Sequence, residues 1–295
     1  MQKTLTSPAM LDGIALHSGR CVRVALHAAP EDHGIVFHRT DIQLGDRAIP
    51  ARWDRVCDTT LCTRIGNRAG VTVGTVEHLM AALWACGVTN ARVEVDGPEL
   101  PILDGSALPW VAAIQAAGVA PQLAPVATIR IRKRVSVTLG SARASLEPSA
   151  RPEIRFRIDF ADAAIGSQSA RLALTPDRVA DHLADARTFC RLRDVAAMRA
   201  RGLALGGSPD NAVVVDGADV LGTGLRHPDE PVRHKMLDAV GDLALAGAPI
   251  LGRYTGLRAG HTVTNALLRR LFADPTAWVM DAAAAVPDTS VAAVA

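Results

Sequence analysis

The sequence predicts an α+β protein made of two similar units, and three observations carry that reading. Strand-like and helix-like stretches follow in the order strand, helix, strand, helix in each half of the chain. Between the halves Val119–Ala127 has little periodicity, contains Pro121 and Pro125, and reads as a linker. The length, 295 residues of which 49% are hydrophobic and 21% charged, suits one large domain or two ordinary ones and excludes general disorder. The expected units are residues 1–120 and 127–280, followed by an Ala/Val-rich tail, 281–295, expected to fray. No clean sequence repeat is visible.

In the first half Cys21–Leu26, Gly34–His38 and Ala91–Asp96 read as strands, the last alternating Val93 and Val95 with charged residues. Val76, Leu79, Met80 and Leu83 recur at helical spacing, and a second helix is expected over Trp110–Ala117 with Pro109 in its first turn. In the second half Thr128–Leu139 and Ile154–Phe160 alternate as strands. Helices are expected at Pro176–Arg187, Asp229–Ala246 and Thr262–Phe272, with a strand at Ala212–Val215.

Composition removes several function classes. Lys+Arg 32 against Asp+Glu 30 leaves a net charge of +2, no argument for a nucleic-acid or membrane-surface protein. Aromatics at 3% argue against base stacking. No apolar run approaches the roughly 18 residues of a membrane span, and Met1–Ser18 lacks a basic-then-apolar export signal. Cys21, Cys57, Cys62, Cys86 and Cys190 are odd in number and lack CxxC spacing, which disfavours a disulfide framework or zinc knuckle and suits a reduced, cytoplasmic setting.

The helix at Asp229–Ala246 is the most informative segment. Val232, Met236, Ala239, Val240 and Leu243 share one face, while His234, Asp238 and Asp242 form a separate stripe at i, i+4 and i+8 with Lys235 beside it. A His and an Asp four residues apart can chelate one cation, yet an ordinary solvated helix face carries the same stripe. Glu77 and His78 fall in the first turn of the earlier helix. There the helix dipole favours a neutral, ligating imidazole and an ionised carboxylate able to act as a general base; a plain polar helix start reads the same way. Both point away from the Val76/Leu79/Leu83 face, on the side of Ala81, Ala82 and Ala85, which leaves room for a substrate or another domain. His261 sits in a turn before an apolar helix and is either functional or a helix-cap histidine. Lys235 is one of only three lysines among the 32 basic residues. Gly222-Thr-Gly224 lacks the context of a dinucleotide site, no Walker A or Gly-x-Ser-x-Gly pattern exists, and no cysteine has a clear base partner.

Taken together these pieces resemble a known family. Thr75-Val-Glu-His-Leu79, the run Val232-Arg-His-Lys-Met-Leu-Asp-Ala-Val-Gly-Asp-Leu243 and Gly260-His261 are similar to UDP-3-O-acyl-N-acetylglucosamine deacetylases, zinc amidohydrolases of lipid A biosynthesis in Gram-negative bacteria. Supporting blocks run in order at compatible spacing: Gly13–Gly19, Phe37–Asp41, Pro101–Ser106, Ala186–Phe189, Leu205–Ser208 and Gly224–Arg226.

The resemblance implies two two-layer α+β domains, each a sheet plus two helices, packed helices face to face around the active site. It implies His78, His234 and Asp238 as ligands of Zn2+, with Fe2+ as the other metal considered. Glu77 matches the general base, His261 the imidazolium that stabilises the oxyanion, Asp242 its orienting carboxylate, and Thr188 a hydroxyl donor to the oxyanion; the proton to the leaving amine comes from either His261 or Glu77. Lys235, Phe189, Cys62, Phe160 and Arg258 match substrate-binding positions. An insert at about 189–211, carrying Leu192, Val195 and Leu205, matches an apolar passage for the acyl chain; an ordinary amphipathic helix is the other reading of it. Arg191 stands where relatives usually carry an apolar aromatic, and Arg258 where Lys is common. The implied reaction releases acetate from UDP-3-O-(3-hydroxyacyl)-N-acetylglucosamine in a monomeric, cytoplasmic enzyme without nucleic-acid partners. Two alternatives stand beside it: a same-fold amidohydrolase acting on another acylated amino sugar, and a catalytically silent sugar-nucleotide binder.

Overall fold

The structure, a computed structural model, describes residues 1–281. The first unit contains strands β1 (Ala9–Ile14), β2 (Cys21–Ala28), β3 (Ile35–Arg39) and β4 (Ala48–Pro50), helix α1 (Glu77–Ala85), strand β5 (Ala91–Val95) and helix α2 (Leu108–Ala117). Its sheet has the order β1-β2-β5-β3-β4, antiparallel except for the parallel pair β5 and β3. The second unit contains β6 (Val135–Leu139), β7 (Ala142–Glu147), β8 (Glu153–Asp159), β9 (Ser167–Ala173), α3 (Pro176–His182), α4 (Leu192–Ala200), α5 (Glu230–Ala244), β10 (Arg253–Leu257) and α6 (His261–Phe272). Its sheet order is β6-β7-β10-β8-β9, again with one parallel pair, β10 and β8. The similarity expected of the two halves is therefore a matter of topology. Strand order and the position of the parallel pair coincide. In each unit one helix precedes the central strand (α1, α5) and one follows it (α2, α6).

The local reasons are those of two-fold and 3.6-fold periodicity. In β8 Ile154, Phe156 and Ile158 are buried while Arg155 and Arg157 face out; β2 buries Val22, Val24 and Leu26 between exposed Cys21 and Arg23. Pro109 occupies the first turn of α2, where no N–H is needed, and Trp110, Ile114 and Ala117 turn inward.

Helices α1 and α5 pack directly on each other. Small residues allow this. A Cβ placed on Gly241 of α5 would lie 2.0 Å from the carbonyl oxygen of Glu77, so no other residue fits there without moving a helix. The units are also joined at a distance from this contact. The Trp53 N–H donates to Leu245 O (2.8 Å), its ring stacks on Phe272 with centroids 4.8 Å apart, and Asn265 Nδ2 donates to Trp53 O (3.1 Å). Arg269 Nη2 donates to Val56 O at 2.8 Å.

Several expected elements are corrected. The strand expected over Thr128–Leu139 is two strands in different sheets. Thr128–Ile131 pairs with Ile250–Leu251 and Trp278–Asp281, and the chain steps across exposed Arg132, Lys133 and Arg134 before β6 begins. Part of the expected linker, Val119–Pro121, is an edge strand paired with Lys3–Leu5, a place where a proline is tolerated. The helix expected to reach Arg187 stops at His182, freeing 183–188 to run beside α5. Asp281, assigned to the tail, is the last residue of a strand; the rest of the expected frayed tail lies outside the described residues.

Candidate active site

Helix α1 meets α5, and the contact includes the polar stripe of α5: His78 lies 3.6 Å from Asp238. His234, Asp238 and Asp242 are 2%, 4% and 3% exposed, which removes the solvated-face reading of that stripe. Glu77 and His78 are likewise buried at the start of α1. Burying this many polar groups is costly unless each is paired or holds a cation.

His78, His234 and Asp238 place one ligand atom each within 4.8 Å of one another. Asp238 Oδ1 lies 3.3 Å from His234 Nε2 and 3.6 Å from His78 Nε2. Ligands bound tetrahedrally at about 2.0–2.1 Å are separated by about 3.4 Å, so these spacings are those of one small coordination shell. The chemistry of the donors agrees. The Nδ1 of His234 lies 3.0 Å from Ala186 O, so that nitrogen carries the proton and Nε2 presents its lone pair to the cluster. Burial pushes the His234 pKa down to about 3, so the ring is neutral, as a ligand must be. Burial would raise the Asp238 carboxyl, but the Lys235 ammonium and the protonated His261 hold it well below the usual carboxylate range. Lys235 Nζ donates to Asp238 Oδ2 at 2.6 Å, leaving Oδ1 free for the cluster. Two imidazoles and one carboxylate of this kind can hold a divalent metal ion.

A second polar set adjoins the first. His261, the first residue of α6, has Nδ1 2.9 Å from Asp242 Oδ2, and its Nε2 is 3.8 Å from Glu77 Oε1 and 4.0 Å from Asp238 Oδ2. Burial opposes charge on His261, but Asp242 and Glu77 outweigh it and raise its pKa to about 9. Burial pushes the Glu77 carboxyl up from its ordinary value. The result is a carboxylate of raised basicity beside an imidazole that stays protonated at neutral pH, the pairing that acid–base chemistry at pH 7 requires.

Both sets open into one cavity of about 260 Å3. Of the residues singled out from sequence, Glu77, His78, Thr188, Phe189, His234, Lys235, Asp238 and His261 line it. Asp242 lies behind His261. Lys235 Nζ sits 5.8 Å from the centre of the Phe189 ring, which packs edge-on against Phe160 at 5.4 Å. Cys62 is buried behind the cavity wall, and burial pushes its thiol up to about 12, so it is not a thiolate. Arg258 lies outside the cavity, bonded to Ser141 O and Asp159. Leu192, Val195 and Leu205 are not in the cavity wall either. Helix α4 buries none of its residues, and Leu192 and Leu205 face out at the surface. Sequence reasoning assigned no role to Leu16, Leu61, Thr75 or Ile102, which line the cavity, or to Thr63, which bonds Glu77 and Asp242. Leu61 and Thr75 hold φ of 62° and 56°, strained for non-glycine residues and common at functional sites, but invisible in sequence. A larger cleft of about 620 Å3, lined by Met80, Trp84 and Leu243 among others, contains no candidate ligand cluster among the described residues.

Fold and site define a class: an α+β protein of two like units with a two-imidazole, one-carboxylate cluster able to hold a metal ion and a buried carboxylate–imidazole set at the contact of its central helices. The sequence model of the family described as UDP-3-O-acyl N-acetylglycosamine deacetylase matches residues 2–273. A UDP-3-O-acyl-N-acetylglucosamine deacetylase of Phenylobacterium zucineum is 51% identical over 278 residues, 94% of this chain and 95% of that protein. Proteins of the same name are 49% identical in Myxococcus xanthus and 46% identical in Acidithiobacillus ferrooxidans, each over 94% of this chain and over 88% and 91% of their own lengths. The chain belongs to the UDP-3-O-acyl N-acetylglycosamine deacetylase family.

Proposed function

We propose that this chain is a zinc-dependent deacetylase that removes the N-acetyl group of UDP-3-O-(3-hydroxyacyl)-N-acetylglucosamine, an early committed step of lipid A biosynthesis. The observation that carries the reading is the convergence of His78, His234 and Asp238 beside Glu77 and His261 in one buried cavity, in a chain of this family. These three residues would hold the metal, Zn2+ by donor type with Fe2+ as the alternative. The bound ion supplies Lewis acidity toward the amide carbonyl and the attacking water.

The remaining steps belong to the chain itself. Glu77 takes a proton from the water through Oε1, the oxygen that faces His261. His261, kept protonated by Asp242, stabilises the oxyanion that develops on the acetyl carbonyl and protonates the departing amine. An amide anion leaves too poorly for base catalysis alone, so a separate acid is needed. The Thr188 hydroxyl, at the cavity wall, donates to the same oxyanion. Lys235, braced by Asp238 and Phe189, offers a cation to the sugar diphosphate. Phe189 and Phe160 form an apolar wall beside it. Cys62, buried next to the cavity residue Leu61, and Arg258 complete the substrate-binding set that the family resemblance implies. The segment 189–211, with exposed Leu192 and Leu205 and half-buried Val195, serves as the acyl passage. Its docking supports this: Leu205 N donates to His17 O (3.2 Å) and Gly206 N to Leu16 O (3.0 Å), beside the cavity residue Leu16. Units at 1–120 and 127–280, a monomeric state and a cytoplasmic setting complete the proposal. Five free cysteines suit a reducing compartment.

The test is acetate release from the UDP-sugar with and without its 3-O-acyl group. The reading expects the acylated substrate to be strongly preferred and Glu77→Ala to be at least about 100-fold slower. Equal use of both substrates, or an undiminished variant, refutes it.

A further inference from the structure

Thr63 lies in the loop between two short strands, Val56–Asp58 and Arg64–Gly66, and is almost completely buried. Three of its polar groups are used, all toward the site. Its backbone N–H donates to Glu77 Oε2 (3.0 Å), its hydroxyl donates to Asp242 Oδ1 (2.5 Å), and its carbonyl accepts the Val76 N–H (3.3 Å). One residue of the first unit thus touches both carboxylates of the acid–base set, one on α1 and one on α5.

We propose that Thr63 is a positioning residue for deacetylation, fixing Asp242, and through it His261, against Glu77. This rests on the acid–base roles proposed above. Each carboxylate is held at one oxygen and thereby aimed with the other. Thr63 N–H fixes Glu77 Oε2, which turns Oε1 toward His261 Nε2. The Thr63 hydroxyl fixes Asp242 Oδ1, which leaves Oδ2 to receive the Nδ1 proton of His261. Without the hydroxyl, Asp242 keeps a buried oxygen with no donor, and nothing restrains rotation of the carboxylate or the tilt of the imidazole that follows it. Partners that orient an active-site group from behind in this way typically account for about 10–100-fold in activity.

The experiment compares Thr63→Val, which keeps the shape and loses the hydroxyl, with Thr63→Ser, which does the reverse. Readouts are kcat and KM for acetate release, and the low-field proton resonance of His261 Nδ1 in 15N-histidine-labelled protein. The expected result is a 10–100-fold fall in kcat for Thr63→Val with KM changed less than threefold, and a shifted or lost resonance. Thr63→Ser should stay within threefold of the parent and keep the resonance. The proposal is overturned if Thr63→Val keeps kcat within threefold or leaves the resonance unmoved, or if Thr63→Ser falls as far as Thr63→Val. Should Thr63→Val fail to fold, Thr63→Ala carries the same comparison. Parent protein and Glu77→Ala run alongside. A parent inactive on the substrate refutes the proposed function, while the resonance still decides the role of Thr63.

Discussion

Replacing Gly241 by alanine probes the helix contact that assembles the site. The added Cβ would stand 2.0 Å from Glu77 O, 2.8 Å from Glu77 C and 3.0 Å from its Cα. Close C···O contacts in proteins are about 3.3 Å, so α1 and α5 must separate locally by about 1.3 Å. Gly241 lies between Asp238 and Asp242, and the atom it meets belongs to Glu77, so the displacement falls on the site itself. The spacings of 3.6 Å from Asp238 to His78 and 3.8 Å from Glu77 to His261, which cross from α1 to the other unit, cannot survive such a shift, while the 3.3 Å between His234 and Asp238, both on α5, is kept. A misplacement of about 1 Å can cost about 100-fold in rate. The effect on stability is smaller, because overpacking costs about 1–3 kcal/mol while alanine in place of glycine returns about 1 kcal/mol of helix propensity. The expected outcome is a deacetylase activity down about 100-fold, a reduced metal content after dialysis, and a urea midpoint only slightly lowered. Activity within threefold of the parent would refute the reasoning, since it would mean that the helix spacing does not set the geometry of the site.

Removing the metal by chelation is expected to abolish acetate release and to lower the melting temperature. A ligand at 100 times its Kd contributes about 2.7 kcal/mol to the folded state, and differential scanning calorimetry with and without added zinc checks both size and sign. The buried pair Arg187–Glu230 makes stability depend on pH. Burial would raise the Glu230 carboxyl, but Arg187 and the N–H groups of Arg187 and Arg226 hold it below its ordinary value. A depressed carboxyl contributes stability above its unfolded pKa of about 4.3 and loses it as pH falls. Glu230→Gln is therefore expected to be less stable than the parent at pH 7, with the gap narrowing toward pH 3 in urea titrations; a gap constant with pH refutes the assignment.

What could be read from the sequence was what a single element reveals. The stripe of His234, Asp238 and Asp242 is a consequence of 3.6-residue periodicity, and Glu77 with His78 is marked by its place in a first helical turn. Whether the stripe faces water or another helix is not written in α5. That is decided by the other half of the chain, and the same letters served either reading until α1 was seen to cover them. Thr63 carried no local signal for the same reason, since its partners lie 14 and 179 residues away. Gly241 did leave a trace. A glycine inside a strongly patterned helix costs about 1 kcal/mol against alanine and asks for a packing reason. Strands β7 and β9 passed unnoticed because β7 lacks a clean alternation and β9 is an edge strand with no fully buried residue. The alternation through Thr128–Leu139 was real, but period alone does not say that a chain changes sheets midway.

The stacked pair Trp53 and Phe272 has an optical consequence. Helix α6 is one stiff rod of 12 residues: His261 sits at its first residue, and at its last Phe272 lies under an indole contributed by the first unit. Any wedge that tilts the rod to disturb the imidazole must also slide the rings at the far end past each other. Indole emission from Trp53, read in a variant whose other three tryptophans (Trp84, Trp110 and Trp278) are replaced by phenylalanine, therefore serves as a gauge of whether the seam between the two halves is shut, readable in solution without a label and without turnover.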